Sequence, residues 1–237
     1  MIRKAAIVSI SGLSLTNKEI NIIKKEKPWG VILFKRNILT EKQLKKLTSS
    51  IKKIMKDKKY PILIDEEGGK VTRLTNFLNN SIFNQNFFGN IYEKDKKIGL
   101  ILYKRYIESI SIHLLNLGIN INTSPVLDLY QKSAHKIIGN RSYSENPTTV
   151  NKLGQACVKF YKNNKIGTVI KHIPGHGAAN VDSHFNLPVV KKNFMYLKKN
   201  DFECFKNIKS HFAMTAHILY DKIDNINNAT HSKVLIK

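Results

Sequence analysis

The chain has 237 residues, 42% of them hydrophobic, enough for one sizeable core and therefore one expected domain over residues 1–237. No apolar stretch approaches the roughly 20 residues that cross a bilayer, and the run Met1–Val8 turns polar too quickly for a secretory signal, so no membrane partner is expected. The formal charge of +23 resides mostly on lysines scattered over nearly every predicted helix, with only five arginines, whereas a nucleic-acid interface clusters charge and favours arginine forks; no specific nucleic-acid partner is expected.

In chain order, Ala5–Ile10 is short and β-rich, and Thr16 opens a helix with Glu19 placed as its capping-box partner. Gly30–Phe34 is a second buried strand. Thr40–Lys56 carries Leu44, Leu47, Ile51, Ile54 and Met55 at helical spacing with lysines outside. Pro61–Ile64 is the third strand, followed by a Phe- and Asn-rich loop from Phe77 to Phe88 and a long helix from Glu93 to Leu117. Ile119–Leu127 is a fourth strand interrupted at Pro125, Thr148–Asn163 a helix, and Gly167–Ile170 a fifth strand. Leu197–Ser210 is a last helix and Phe212–Ala216 a sixth strand. The two cysteines, Cys157 and Cys204, have no metal-ligand neighbours and fit a reducing compartment, hence a cytoplasmic location.

Strand followed by helix, six times over, implies a parallel sheet with helices outside, either doubly wound or a (β/α)₈ barrel. Polar residues fall at the C-terminal ends of several strands: Asp65, Asp128, Lys171 with His172, and His217. Contributions from many strands to one face favour the barrel, since a doubly wound sheet gathers them at one crevice. Neither a dinucleotide fingerprint nor a P-loop is present, and no cofactor is expected.

The densest chemistry lies in Lys171–Gly177 and Asp182-Ser183-His184, which hold three of the eight histidines. Lys171 and His172 end a buried strand, so the ammonium requires a polar pocket; His172 could equally be a hydrogen-bonded core histidine. Asp182 and His184 are two apart, on one side of an extended segment, where the carboxylate favours the protonated imidazole and yields a proton donor near neutral pH. Asp65, at the head of Asp65-Glu66-Glu67-Gly68-Gly69, can accept two hydrogen bonds from adjacent hydroxyls, with Arg73 donating to the same ligand. A solvated acidic turn is the alternative. Arg141 sits in a polar loop where a planar fork is needed, or where it pairs with Glu145. His172, His176 and His184 match none of the usual zinc spacings, and no metal is expected.

Taken together, these segments resemble the family 3 glycoside hydrolases, most closely the single-domain bacterial β-N-acetylglucosaminidases (β-N-acetylhexosaminidases) of peptidoglycan recycling. The resemblance runs through Lys27–Phe34 with Arg36-Asn37, Asp65–Gly69 with Arg73, Ser124–Asp128, Arg141–Ser144, Lys171–Gly177, Asp182–His184 and Met214–His217. It implies a (β/α)₈ TIM barrel and a retaining exo-glycosidase that removes terminal β-N-acetylglucosamine from peptidoglycan fragments. By resemblance, Asp65 holds sugar hydroxyls, Arg73, Arg141, Lys171 and His172 line the pocket with Met214 against the sugar, and His184 is the acid/base with Asp182 as its partner. The family's nucleophile is an aspartate in a G-[LV]-[IL]-x-[ST]-D-D segment, which no part of this sequence matches; Asp201, Asp221 and Asp224 are poor substitutes. The expectation is therefore a C-terminally incomplete barrel of about six βα units, unable on its own to cleave the glycoside with retention. It is either a piece of a longer enzyme or a catalytically inactive sugar-binding remnant. A family 3 β-glucosidase is a weaker reading, because the Lys171–Gly177 loop with the following Asp-Ser-His favours the aminosugar branch.

Overall fold

Six strands lie in one parallel sheet in the order in which the chain makes them. They are β1 (Lys4–Ser9), β2 (Pro28–Leu33), β3 (Ile62–Ile64), β4 (Ile121–Asn122), β5 (Gly167–Ile173) and, after a short outlying β6 (Val189–Val190), β7 (Phe212–Thr215). The structure, a computed structural model, describes residues 2–132, 138–179 and 187–235. A doubly wound sheet reverses its strand order at a switch point. The uninterrupted order β1-β2-β3-β4-β5-β7 instead winds in one direction with helices on one side, as in the barrel expected from the sequence. Among the described residues β1 and β7 do not pair with each other, so the sheet is an open, partial barrel.

The helices form where the sequence caps them. Helix α1 (Asn17–Glu26) opens on a reciprocal box: the Glu19 amide donates to Thr16 Oγ1 and the Thr16 amide to Glu19 Oε2. Helix α2 (Glu41–Ile54) is capped by Thr40 and buries Leu44, Leu47 and Ile51, one face at 3–4 spacing. The expected long helix is two: α3 (Gln85–Lys94), which begins inside the segment read as a loop, and α4 (Lys96–Asn116). Asp95 ends the first in extended backbone, and its carboxylate accepts from the Ile98 amide to start the second. Helix α5 (Pro147–Asn163) has Asn146 at its cap and Pro147 in its first turn. The expected helix over Leu197–Ser210 shrinks to α6 (Phe194–Lys199) and one 3₁₀ turn at Glu203–Phe205, because Asp201 turns inward beneath the loop at Gly175. The fourth strand is likewise short. Pro125 has no amide to donate; beyond Asn122 the Thr123 amide still donates to the Ile64 carbonyl, and a bridge between Val126 and Lys171 continues the pairing on the other side.

Alternation along the strands divides the core. Val31, Leu33, Ile62, Ile64 and Ile170 face outward and pack with α2, α4 and α5 in the main cluster. Leu63, Ile121 and Val169 face inward, together with Ile32, Phe212 and Met214. A smaller cluster built on β6, α6 and β8 (Leu219–Tyr220) lies behind residues 175–179, where the Tyr220 hydroxyl donates to the Gly175 carbonyl.

Gly89 is where α3 touches the loop that carries Arg141: a Cβ there would fall 1.8 Å from the Tyr143 carbonyl oxygen. Backbone cannot yield as a side-chain tip can. Gly89→Ala is expected to destabilise the fold by on the order of 3 kcal/mol, measured as a lower urea midpoint at unchanged slope.

Candidate active site

Residues two positions beyond the inward apolar layer point the same way, one step nearer the C-terminal ends of the strands. Leu63 leads to Asp65, Ile121 to Thr123, Val169 to Lys171 and Phe212 to Met214. Within the pairs β3–β4 and β5–β7 they lie level, Leu63 opposite Ile121, Val169 opposite Phe212 and Lys171 opposite Met214, while between β4 and β5 the register steps by two, Ile121 lying opposite Gly167. An apolar floor thus carries a polar layer. Above it opens a cavity of about 440 Å³ whose lining includes Asp65, Arg73, Arg141, Lys171, His172 and Met214, the six pocket residues expected from the sequence. Lining a pocket is all that the geometry assigns them.

Lys171 is 2% exposed, and its ammonium lies 2.5 Å from Glu67 Oε1 and 3.6 Å from Asp65 Oδ1. It also donates to Thr123 Oγ1 at 3.0 Å. Thr123 in turn donates to Asp65, whose second oxygen accepts from Arg73 Nη2 at 3.1 Å. Arg141 grips Glu67 with two parallel bonds, Nε to Oε2 at 2.8 Å and Nη2 to Oε1 at 2.9 Å. Arg141 therefore serves as a planar fork, and its partner is Glu67 rather than Glu145, which lies 3.6 Å from Lys132. Burial pushes the Asp65 and Glu67 carboxyls up, but the neighbouring cations outweigh it and hold both below the usual range. Both carboxylates of the layer are thus held as anions.

Glu67 is the residue that sequence reasoning missed. The signal was present: a strand-end lysine that cannot be buried alone requires a second carboxylate, and the motif offers two beside Asp65. Glu66 is the wrong one. It is buried on the other side of the turn, accepting from the amides of Arg73 and Leu74 and from Asn80 Nδ2, with Thr72 also donating to it; burial raises its pKa. It shapes the loop that aims Arg73.

Asp128 was legible as a strand-end carboxylate, but without a role. It is fully buried, 2.7 Å from His172 Nδ1, and accepts from the amides of His172 at 3.3 Å and His176 at 2.7 Å. Burial opposes its charge, yet His172 and His176 outweigh that and bring its pKa down to about 2. A carboxylate accepts only, so Nδ1 carries the hydrogen and the ring is fixed in orientation. His172 is thereby both a satisfied core histidine and a pocket wall. The turn above is tight: a Cβ on Gly177 would fall 2.2 Å from the Leu129 carbonyl oxygen. Asp201 presses against the same turn from below, and burial followed by the Asp128 charge raises its pKa to about 6.

Asp182 and His184, the expected acid/base pair, lie outside the described residues. A larger, open groove of about 1100 Å³ runs beside the cavity, with Lys70, Glu93, Gln131 and Asn140 on its walls. Buried, paired charges concentrate in the smaller cavity, whose volume falls in the range of small-molecule sites.

Residues 4–237 match the family described as Glycosyl hydrolase family 3 N terminal domain. The chain is 35% identical over 204 residues to beta-hexosaminidase A of Pseudoalteromonas piscicida, covering 83% of this chain and 34% of that protein. It is 32% identical over 225 residues to the beta-hexosaminidase of Methylobacillus flagellatus, covering 92% and 63%. The crystal structure of NagZ from Neisseria gonorrhoeae in complex with N-trifluoroacetyl-D-glucosamine superposes with a TM-score of 0.90 at 30% identity, over 99% of this chain and 69% of that one. The chain thus spans between one third and somewhat under two thirds of the length of these two curated relatives.

Two stability measurements test the electrostatics. Removing one partner of a buried pair strands the other, so Glu67→Ala is expected to cost about 3–5 kcal/mol in guanidinium unfolding, and Glu67→Gln, which keeps an acceptor, less. For Asp201 the folded pKa of about 6 exceeds the ordinary 3.8, so the folded state takes up the proton before the unfolded one as pH falls. Its destabilisation is full above pH 6 and relieved on the way down to pH 4. Asp201→Asn should gain on the wild type by up to about 3 kcal/mol between pH 4 and pH 8; a pH-independent difference contradicts this.

Proposed function

The chain belongs to glycosyl hydrolase family 3, and we propose that it supplies the sugar pocket and the acid/base of a β-N-acetylhexosaminidase. The observation that carries this reading is the single inward layer that sets Asp65 and Lys171 3.6 Å apart on the wall of one cavity, with Arg73, Arg141, His172 and Met214 around it. An ionised carboxylate beside an ammonium presents an acceptor and a donor to neighbouring hydroxyls of a pyranose ring. Met214 offers an apolar surface for the ring's C–H face. Two relatives named beta-hexosaminidase and a NagZ solved with a glucosamine derivative support an N-acetylglucosamine unit as the occupant.

His184, with Asp182 as its partner, is proposed as the group that protonates the departing glycosidic oxygen. A histidine becomes neutral as it gives up its proton, so no new carboxylate charge arises beside an anionic nucleophile, unlike the usual pair of carboxylates. The nucleophile that the family resemblance requires has no matching segment in this sequence, so ligand binding is the direct readout of the pocket. Peptidoglycan fragments bearing terminal β-N-acetylglucosamine are the proposed natural substrate class. A reducing, cytoplasmic setting is supported by Cys157 and Cys204, both buried free thiols. No helix among the described residues is long and apolar enough to cross a membrane.

Isothermal titration with N-acetylglucosamine tests the pocket. Saturable binding is expected, weakened by about 30- to 150-fold in Asp65→Asn, the equivalent of losing about 2–3 kcal/mol of charge-assisted hydrogen bonding. Absence of binding, or binding indifferent to Asp65→Asn, would overturn the assignment.

A further inference from the structure

Helix α4 differs from α2, whose outer face carries lysine at Lys42, Lys45 and Lys46. On α4 the inner face buries Tyr103, Ile107, Ile110 and Leu114, and the outer face is apolar again. Ile98, Ile101, Leu102, Ile112 and Leu115 are between 43 and 57% exposed. Ile98, Ile101 and Leu102 near its start and Ile112 and Leu115 near its end lie on one side of a helix that is about 31 Å long. A stripe of this kind on a chain so rich in lysine is an unpartnered contact face.

The stripe is self-complementary. Its centre holds Arg105 and Glu108, bonded at 3.0 Å with the Arg105 side chain 75% exposed, and Lys104 lies 3.7 Å from the same carboxylate. When a second copy of α4 is laid antiparallel on the first, about a two-fold axis level with the Tyr106–Ile107 peptide, Arg105 of each meets Glu108 of the other. In that same register Ile98 meets Leu115, and Ile101 meets Ile112. Lys104 meets Ser109, so no like charges oppose each other along the seam. One register therefore pairs four of the five apolar positions and both charged ones, with Leu102 at the margin opposite the buried Ser111, as an isologous interface allows. We propose that α4 is the interface through which two copies of this chain associate, as an antiparallel helix pair centred between Arg105 and Glu108.

Sedimentation equilibrium at about 100 µM protein tests this, with ~0.3 M salt to screen the repulsion between two copies of formal charge +23. The wild type is expected to be a dimer. Arg105→Glu and Glu108→Arg, each alone, place like charges across the axis and should weaken dimerisation by about tenfold. The combined Arg105→Glu/Glu108→Arg protein restores the opposite pairs and should recover the wild-type constant. Ile101→Lys/Ile112→Lys should be monomeric with an unchanged circular dichroism spectrum, both positions being exposed on the helix. A monomeric wild type would overturn the proposal. A dimer that none of these variants alters is held elsewhere, for instance at the open sheet edges, and overturns it equally. So do single reversals that weaken the dimer without recovery in the combined variant, because the register is then wrong.

Discussion

An ammonium buried inside a partial barrel is the constraint around which the site is arranged. Lys171 is nearly inaccessible, and an isolated charge there would be prohibitively costly. Its cost is offset by Glu67 and Asp65, and two carboxylates then need more positive charge than one lysine provides. Arg73, on the same loop as the two carboxylates, and Arg141, from a separate loop, supply it. Three segments far apart in sequence are therefore tied to one another by ion pairing, and none can be withdrawn without stranding a partner. The pocket inherits its geometry from this pairing. Its walls are groups already ionised and already oriented, so a polar ligand meets donors and acceptors that need little rearrangement.

Strand periodicity does the rest. Side chains two residues apart share a face, so each strand that contributes an apolar residue to the interior contributes its next inward residue to the pocket. The floor of Leu63, Ile121 and Val169 keeps the polar layer dry from below. Beside it, Asp128 fixes the His172 ring and anchors the His176 amide, while Asp201 presses on the glycine turn that follows. These two carboxylates are held by opposite means. Asp128 is stabilised as an anion by its histidines, and Asp201 is pushed towards neutrality by burial and by Asp128. Like charges close together in a dry site separate their titrations in this way.

Much of this was legible in the sequence, and the reasons differ by residue. The barrel architecture followed from strand–helix alternation and from polar residues ending several strands, because both signals are local. Asp65, Arg73, Arg141, Lys171, His172 and Met214 do share one cavity. The choice of Arg141 over lysine correctly marked a fork, but its partner lay 74 residues away in Glu67 and not beside it in Glu145. Ion pairing across loops is invisible to local spacing. For the same reason Glu66 and Glu67 look equivalent as letters, yet the turn sends one into a loop scaffold and the other against the lysine. The single long helix expected before the fourth strand failed at Asp95, where a capping side chain outweighed continuous helical propensity. The exposed apolar stripe on α4 went unread because a buried and an exposed isoleucine have the same letter.

A crystal structure of this chain with N-acetylglucosamine tests the central claim most directly. The account predicts one sugar in the cavity of about 440 Å³, with its hydroxyls within hydrogen-bond reach of Asp65 and Lys171 and its ring against Met214. A sugar bound instead in the open groove beside Glu93 and Asn140, with the Asp65–Lys171 layer untouched, would contradict it.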